Sequence, residues 1–278
     1  MNRNATLLLV GVLAASAVTV ARADIESDAP GHREVSRERI LGQTDIPVYT
    51  YRIVRTYPHD TTSYTEGLVM HDGKLYEGTG RYGMSKLMEI DIETGEAIQE
   101  VIVDPLLFGE GVTVIDDDIY QLTYIGNTGY RYDRATFERE ETFRFVTQGW
   151  GMTTNGEDLI RSDGSSSIIF HDPETMAPRR HIFVSDNFGP VGFLNELELV
   201  SDTLFANVWQ TEFIAMIDPQ TGKITGWIDM TGLNPDPETL VYPFVLNGIA
   251  YDERTGHLLV TGKCWPNLWE IELVERAR

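Results

Sequence analysis

Three observations predict an all-β fold, a five-bladed β-propeller. A polar anchor in an apolar frame recurs at spacings of 44, 40, 45 and 52 residues, each anchor opens a set of short strand-like runs, and no long helical period intervenes. Four short strands every roughly 40 to 50 residues is the period of a propeller blade. The first run of each unit is Tyr64-Thr65-Glu66-Gly67-Leu68, Phe108-Gly109-Glu110-Gly111-Val112, Gln148-Gly149-Trp150-Gly151-Met152, Phe193-Leu194-Asn195-Glu196-Leu197 or Val245-Leu246-Asn247-Gly248-Ile249. A turn and a second apolar run follow: Leu75-Tyr76, Ile119-Tyr120, Leu159-Ile160, Leu204-Phe205 and Leu258-Leu259. The third run ends at an acidic turn such as Asp91-Ile92-Glu93-Thr94-Gly95 or Asp218-Pro219-Gln220-Thr221-Gly222. Asp opening a turn and Gly closing it is sound tight-turn chemistry. A fourth run closes the unit, as in Arg180-His181-Ile182-Phe183-Val184.

The last unit stops after its third run, near Leu268 to Leu273, while Val48 to Val54 precedes the first unit without a repeat of its own. The N-terminal strand is therefore expected to complete the fifth blade, which would seal the ring and remove two sheet edges. A β-sandwich with irregular repeats is the alternative. The single domain is expected over residues 44–278. Residues 24–43 are charged and lack apolar periodicity, and they read as a loose leader.

Residues 1–23 read as a signal peptide. Arg3 precedes an apolar or small run from Leu7 to Val20, and Ala21-Arg22-Ala23 gives a cleavage signal before Asp24. The run is short for a membrane span. Cleavage would take away Arg3 and Arg22 and move the net charge from −21 to −23. Such acidity argues against nucleic acid and anionic membrane surfaces as partners. With Cys264 as the one cysteine, no intramolecular disulfide can form. A periplasmic or secreted monomer is expected.

In a propeller the innermost strands line the central channel, so the anchors Glu66, Glu110, Trp150, Asn195 and Asn247 should gather at one mouth. The ends of the second strands add Trp209 and Lys263. Two carboxyls and two amides make a poor core, because each unpaired buried polar group costs about 1–3 kcal/mol. The set is expected to face a ligand or water. The flanking glycines are better read as packing residues. Trp150 and Trp209 would serve equally as core aromatics. The Asp116-Asp117-Asp118 run sits at a turn and reads as a solvated hairpin. No G-x-S-x-G elbow, H-E-x-x-H or P-loop occurs, and six scattered histidines lack metal-ligand spacing. No metal site is assigned, and Cys264 reads as a small buried residue.

These segments carry a resemblance. Tyr64-Thr65-Glu66-Gly67-Leu68, Glu77-Gly78-Thr79-Gly80, Phe108-Gly109-Glu110-Gly111, Gly149-Trp150-Gly151-Met152-Thr153, Ser162-Asp163-Gly164-Ser165, Asn195-Glu196-Leu197-Glu198, Ala206-Asn207-Val208-Trp209, Leu246-Asn247-Gly248-Ile249-Ala250 and Thr261-Gly262-Lys263-Cys264-Trp265-Pro266 run in one order from residue 64 to 266. Together they resemble the plant and bacterial type of glutamine cyclotransferase. Many relatives carry Gln at the position of Glu66. The resemblance implies a five-bladed propeller that cyclises N-terminal glutamine of peptides or proteins to pyroglutamate and releases ammonia. It implies Glu110 as general acid and base. Asn195 and Lys263 would bind the substrate's carbonyl or amide, Trp150 and Trp209 would wall the pocket, and Glu66 and Asn247 would hold the amine and side-chain amide. No redox or organic cofactor is implied, and a structural calcium ion is compatible with the family. A metal-dependent lactonase-like propeller and a non-catalytic binding propeller remain as alternatives. The first would need several oxygen or nitrogen ligands at the axis, and the second would tolerate loss of Glu110.

Overall fold

The computed structural model describes residues 36–234 and 244–276. The expected signal peptide lies outside the described residues. Strands dominate, as the alternation of apolar and polar positions requires. The first sheet is an antiparallel meander of β2 (Thr65–His71), β3 (Lys74–Thr79), β4 (Lys86–Asp91) and β5 (Glu96–Ile102). The second holds β6 (Gly109–Ile115), β7 (Asp118–Thr123), β8 (Thr128–Asp133) and β9 (Arg139–Arg144). The third holds β10 (Met152–Thr154), β11 (Leu159–Ser162), β12 (Ser167–His171) and β13 (Pro178–Phe183). A two-stranded ribbon, β14 (Ser185–Asp186) and β15 (Gly189–Pro190), follows.

The remaining strands form one eight-stranded sheet built from two meanders. One is β16 (Leu194–Val200), β17 (Thr203–Val208), β18 (Phe213–Ile217) and β19 (Ile224–Asp229). The other is β20 (Leu246–Asp252), β21 (His257–Gly262) and β22 (Asn267–Glu275), completed by β1 (Val48–Pro58). β1 runs antiparallel to β22 from Tyr49 opposite Glu275 to Pro58 opposite Asn267, with one irregularity between Ile53 and Arg55. Its first residues also pair in parallel with β19, Val48 with Trp227 and Tyr49 with Ile228, and this joins the two meanders. The first strands of the units meet one another in a closed circuit: β2 with β6, β6 with β10, β10 with β16, β16 with β20, and β20 with β2.

Apolar side chains fill the space between neighbouring sheets. One cluster joins the third and fourth units through Ile160, Phe170, Leu197, Phe213 and Trp227, and another joins the first and second through Tyr76, Leu87, Val112, Ile119 and Tyr132. Along the circuit the backbones nearly touch. A Cβ on Gly67 would lie 2.8 Å from the Gly111 Cα, and one on Gly111 would lie 2.5 Å from the Met152 nitrogen. No side chain fits at that spacing, so these glycines set the approach of the strands.

Part of the expected loose leader is ordered. Residues 37–43 form a short helix, α1 (Arg37–Gln43), capped by the Ser36 hydroxyl accepting from the Arg39 nitrogen. Ile40 is buried in the cluster around Trp227, and Arg39 pairs with Asp186 at 3.1 Å. Sequence periodicity misses this helix because only about two turns exist, with a single buried residue.

Candidate active site

Each unit is an antiparallel meander, so its four strands have two ends. The first strand starts at the end that also carries the connection between the second and third strands. Glu66, Glu110, Asn195 and Asn247 sit at the starts of β2, β6, β16 and β20 and are buried. Trp150 lies just ahead of its strand, because β10 begins only at Met152. Its carbonyl still accepts from the Gly111 nitrogen at 2.7 Å, which holds it on the same ring. Lys263 and Trp209 follow the ends of β21 and β17 at that same end.

The centre of the ring is a buried ion pair. Lys263 Nζ lies 2.6 Å from both carboxylate oxygens of Glu66. Asn247 Nδ2 donates to Glu66 Oε2 at 3.3 Å and to the Thr65 carbonyl at 2.9 Å. The Lys263 ammonium also sits 4.6 Å from the centre of the Tyr64 ring, and the Arg81 guanidinium lies 4.7 Å from it. Tyr64 is thus a shared π-face for two cations.

Glu110 lies at hydrogen-bonding range of Glu66. Burial pushes the Glu110 carboxyl well above the usual carboxylate range, and the neighbouring Glu66 charge pushes it further, against the pull of Lys263. Burial also raises Glu66, but Lys263 opposes this by charge and by hydrogen bonding. Lys263 therefore opposes protonation of Glu66 by charge and by hydrogen bonding, and that of Glu110 by charge alone. Three acceptor oxygens on this ring are buried without a partner: Glu110 Oε2, Asn195 Oδ1 and Asn247 Oδ1. Buried acceptors are normally satisfied, so a cluster of three marks a place for incoming N–H donors.

Aromatic rings wall the mouth. Trp150 meets Trp209 edge to face at 5.6 Å, and Trp209 meets Phe193 at 6.1 Å. In the other direction Trp150 is 6.4 Å from Tyr124, Tyr124 is 6.1 Å from Phe108, and Phe108 is 6.0 Å from Tyr64. Trp150 Nε1 donates to Gln148 at 2.9 Å. Trp150 is buried, as a core aromatic would be, whereas Trp209 is only half-buried.

The structure brings all seven expected residues to one ring and adds others. Tyr64, Arg81, Phe108, Tyr124 and Phe193 line the mouth without having been assigned there. Phe108, Tyr64 and Phe193 each stand two residues before an anchor, and that spacing was the available signal. Deeper in the circuit, Glu196 accepts from the backbone nitrogens of Leu68 at 3.2 Å and Ile249 at 2.8 Å, tying β16 to β2 and β20. Glu198 accepts from Tyr251 at 2.9 Å and from the Thr153 hydroxyl at 3.3 Å. Beneath Tyr64, Glu77 accepts from Thr65 at 2.7 Å and meets His59 Nε2 at 3.2 Å.

One expectation needs correction. Cys264 is half-buried rather than buried, with a backbone φ of 60°, and its sulfur accepts from Arg81 at 3.3 Å. Burial pushes its thiol up, which keeps it protonated and a poor nucleophile at neutral pH. Among the described residues, no three His, Cys, Asp or Glu side chains come together to hold a metal ion. Asp117 and Asp118, in the acidic hairpin, face Arg134 and Arg131 instead. No helix among these residues is long and apolar enough to cross a membrane.

The chain is similar to known proteins along most of its length. The family model described as glutamine cyclotransferase matches residues 24–273. Glutaminyl-peptide cyclotransferase of Arabidopsis thaliana is 37% identical over 229 residues, covering 81% of this chain and 72% of that protein. The crystal structure of Myxococcus xanthus glutaminyl cyclase superposes with a TM-score of 0.77 at 32% identity, covering 84% of this chain and 100% of that one. The match of the family model across the sheets and the ring that they build places this chain in the glutamine cyclotransferase family.

Proposed function

We propose that the chain is a glutaminyl-peptide cyclotransferase, which closes the N-terminal glutamine of a peptide or protein to pyroglutamate and releases ammonia. The observation that carries the residue roles is the trio of unpartnered oxygens on Glu110, Asn195 and Asn247. An N-terminal glutamine brings two N–H donors, its α-amine and its γ-amide, and a ring of acceptors suits both.

The substrate supplies nucleophile and electrophile. The α-amine nitrogen forms a bond to the γ-carbonyl carbon, and the bond from that carbon to the amide nitrogen breaks. One proton must leave the attacking amine and one must reach the departing nitrogen. Glu110 begins protonated, gives its proton to the leaving nitrogen and takes one from the amine, so the enzyme ends as it began. Such acid–base assistance contributes about 10²–10⁴-fold. Holding the chain bent adds the gain of an intramolecular reaction. Lys263 acts through Glu66, keeping that carboxylate charged beside Glu110, rather than binding the substrate carbonyl directly. Asn247 and Asn195 receive the amine and the side-chain amide. Trp150 and Trp209 exclude water, which favours ring closure over hydrolysis. Because both reacting groups belong to the substrate, we assign no cofactor. A calcium ion, if bound, would belong to the scaffold.

We further read the four-stranded units as the blades of a five-bladed β-propeller, with β1 as the outer strand of the fifth. The closed circuit of first strands supports this. The proposed mature form is an exported monomer beginning at Asp24.

Ammonia release from a glutamine dipeptide tests the reading, with and without chelator. Release that survives chelation is expected. No release by folded protein would overturn the cyclotransferase reading, and release lost on chelation would overturn the metal-independent mechanism.

A further inference from the structure

Five large apolar side chains stand on the mouth with 54% to 82% of their surface exposed: Tyr82, Met84, Leu106, Ile125 and Val146. They fall on four successive connections, residues 80–85, 103–108, 124–127 and 145–151, all at the end of the sheets that carries the ring. Arg81 and Asp104 are the only charged residues on these segments, in a chain that is 23% charged. Three other connections at this end are polar at their tips: Asp60-Thr61-Thr62-Ser63, Asp163-Gly164-Ser165-Ser166 and Gln210-Thr211-Glu212. The apolar side chains therefore form a crescent on one side of the mouth.

The crescent is built rather than loose. Ser85 Oγ accepts from the Gly109 nitrogen at 2.9 Å, and the Ser85 carbonyl accepts from Val103 at 2.9 Å. Asp104 accepts from the Leu106 nitrogen at 2.9 Å. Tyr124 donates its backbone nitrogen to the Phe108 carbonyl at 3.0 Å, and Asn127 Nδ2 donates to the Thr147 carbonyl. The buried Arg161 donates to the Val146 carbonyl at 2.8 Å and to the Gln148 carbonyl, and so fixes the last segment from below. The surface is also continuous with the site: Tyr82 packs edge to face on Phe108 at 5.5 Å, and Phe108 belongs to the aromatic wall.

Clustered exposed apolar surface on an otherwise charged protein marks a binding site. We propose that this crescent docks the residues that follow the substrate's N-terminal glutamine, selecting chains with apolar side chains at positions two to four. The proposal rests on the cyclotransferase reading. With glutamine held at the ring, the rest of the substrate must leave through the mouth. An extended chain advances about 3.3 Å per residue, so positions two to four cross the first ~10 Å beyond the glutamine.

The test compares kcat/KM for ammonia release from Gln-Leu-Phe-Leu-Ala, Gln-Gly-Ser-Gly-Ala and Gln-Lys-Lys-Lys-Ala amides. The measurement is made on wild type and on the triple variant Leu106→Ser, Ile125→Ser, Val146→Ser. Wild type should favour the apolar peptide by about tenfold or more through KM, on the scale of a few partly buried side chains. The triple variant should bring that ratio near one, with under twofold change on the glycine–serine peptide and an unchanged Tm. Equal use of the apolar and glycine–serine peptides by wild type would overturn the proposal while leaving the activity in place. So would a lysine preference that fades with salt, or an equal loss on all three peptides in the variant. A wild-type dimer that the triple variant dissolves without altering the ratio would give the crescent to a second copy instead. Absence of ammonia from every peptide would remove the underlying reading and the proposal with it.

Discussion

At the end of the sheets away from the ring, five turns solve one problem with the same residues. Asp91, Asp133, Asp172, Asp218 and Asp252 each open an Asp-x-x-Thr turn. The aspartate oxygen accepts from a backbone nitrogen two residues on, at 2.8 to 3.1 Å. The threonine hydroxyl then accepts from the nitrogen two residues past it, at 3.2 to 3.3 Å. The next position has positive φ, and it is Gly95, Gly222 and Gly256 in three turns but Phe137 and Met176 in two. Those two side chains are buried, so packing offsets the left-handed strain that glycine avoids. At the ring end the described connections differ in length and sequence, and Glu110, Asn195 and Asn247 each keep a buried oxygen without a partner. One end is made to be satisfied by itself; the other is made to be completed by something else.

Variants at the ring should reach turnover, and variants at the far turns should not. Glu110→Gln is expected to cut turnover by about 10²–10⁴-fold with Tm unchanged; near-wild-type turnover would remove Glu110 from its role. Lys263→Met leaves Glu66 buried without its counter-charge and should cost about 3–5 kcal/mol of stability. Adding Glu66→Gln should return much of it, and denaturant midpoints of the two variants measure the coupling.

Activity should follow a bell in pH. It rises as the substrate amine loses its proton, near pH 8 for an ordinary α-amine, and falls as Glu110 loses its own. In Glu110→Gln the falling limb should vanish from the residual rate. A smaller effect comes from Glu198, which burial pushes up to about 8 from an ordinary 4.5. The folded protein keeps that proton where the unfolded chain releases it, so this group lowers stability progressively from pH 4.5 to about 8. Glu198→Gln should flatten Tm over that window, and an unchanged slope would dismiss the group. The weakest effect belongs to the far turns: Asp172→Ala or Asp218→Ala should shift Tm by no more than about 2–4 °C and leave turnover alone.

The repeat was legible because polar anchors and acidic turns recur every 40 to 50 residues or so, and β1 was legible because Val48 to Val54 had no unit of its own. The ring was legible because Glu66, Glu110, Asn195 and Asn247 hold the same place in each repeat. What was not legible depends on partners distant in sequence. Arg81 reaches the site only by folding back over Tyr64, and Lys263 turns from the substrate to Glu66 across 197 positions. The helix α1 was hidden because its ordering comes from Asp186 and the Trp227 cluster, not from its own pattern.

The pairing of β1 with β22 sets a limit on the life history of the chain. Residues 50–58 find their ladder partners in residues 267–274, so most of β1 has nothing to pair with until that segment is made. Such long sequence separation slows folding. The same ladder brings Val48 and Arg276 into backbone contact at 3.0 Å. A circular permutant joined there and reopened between β1 and β2, at residues 59–64, would carry every four-stranded unit in sequence order.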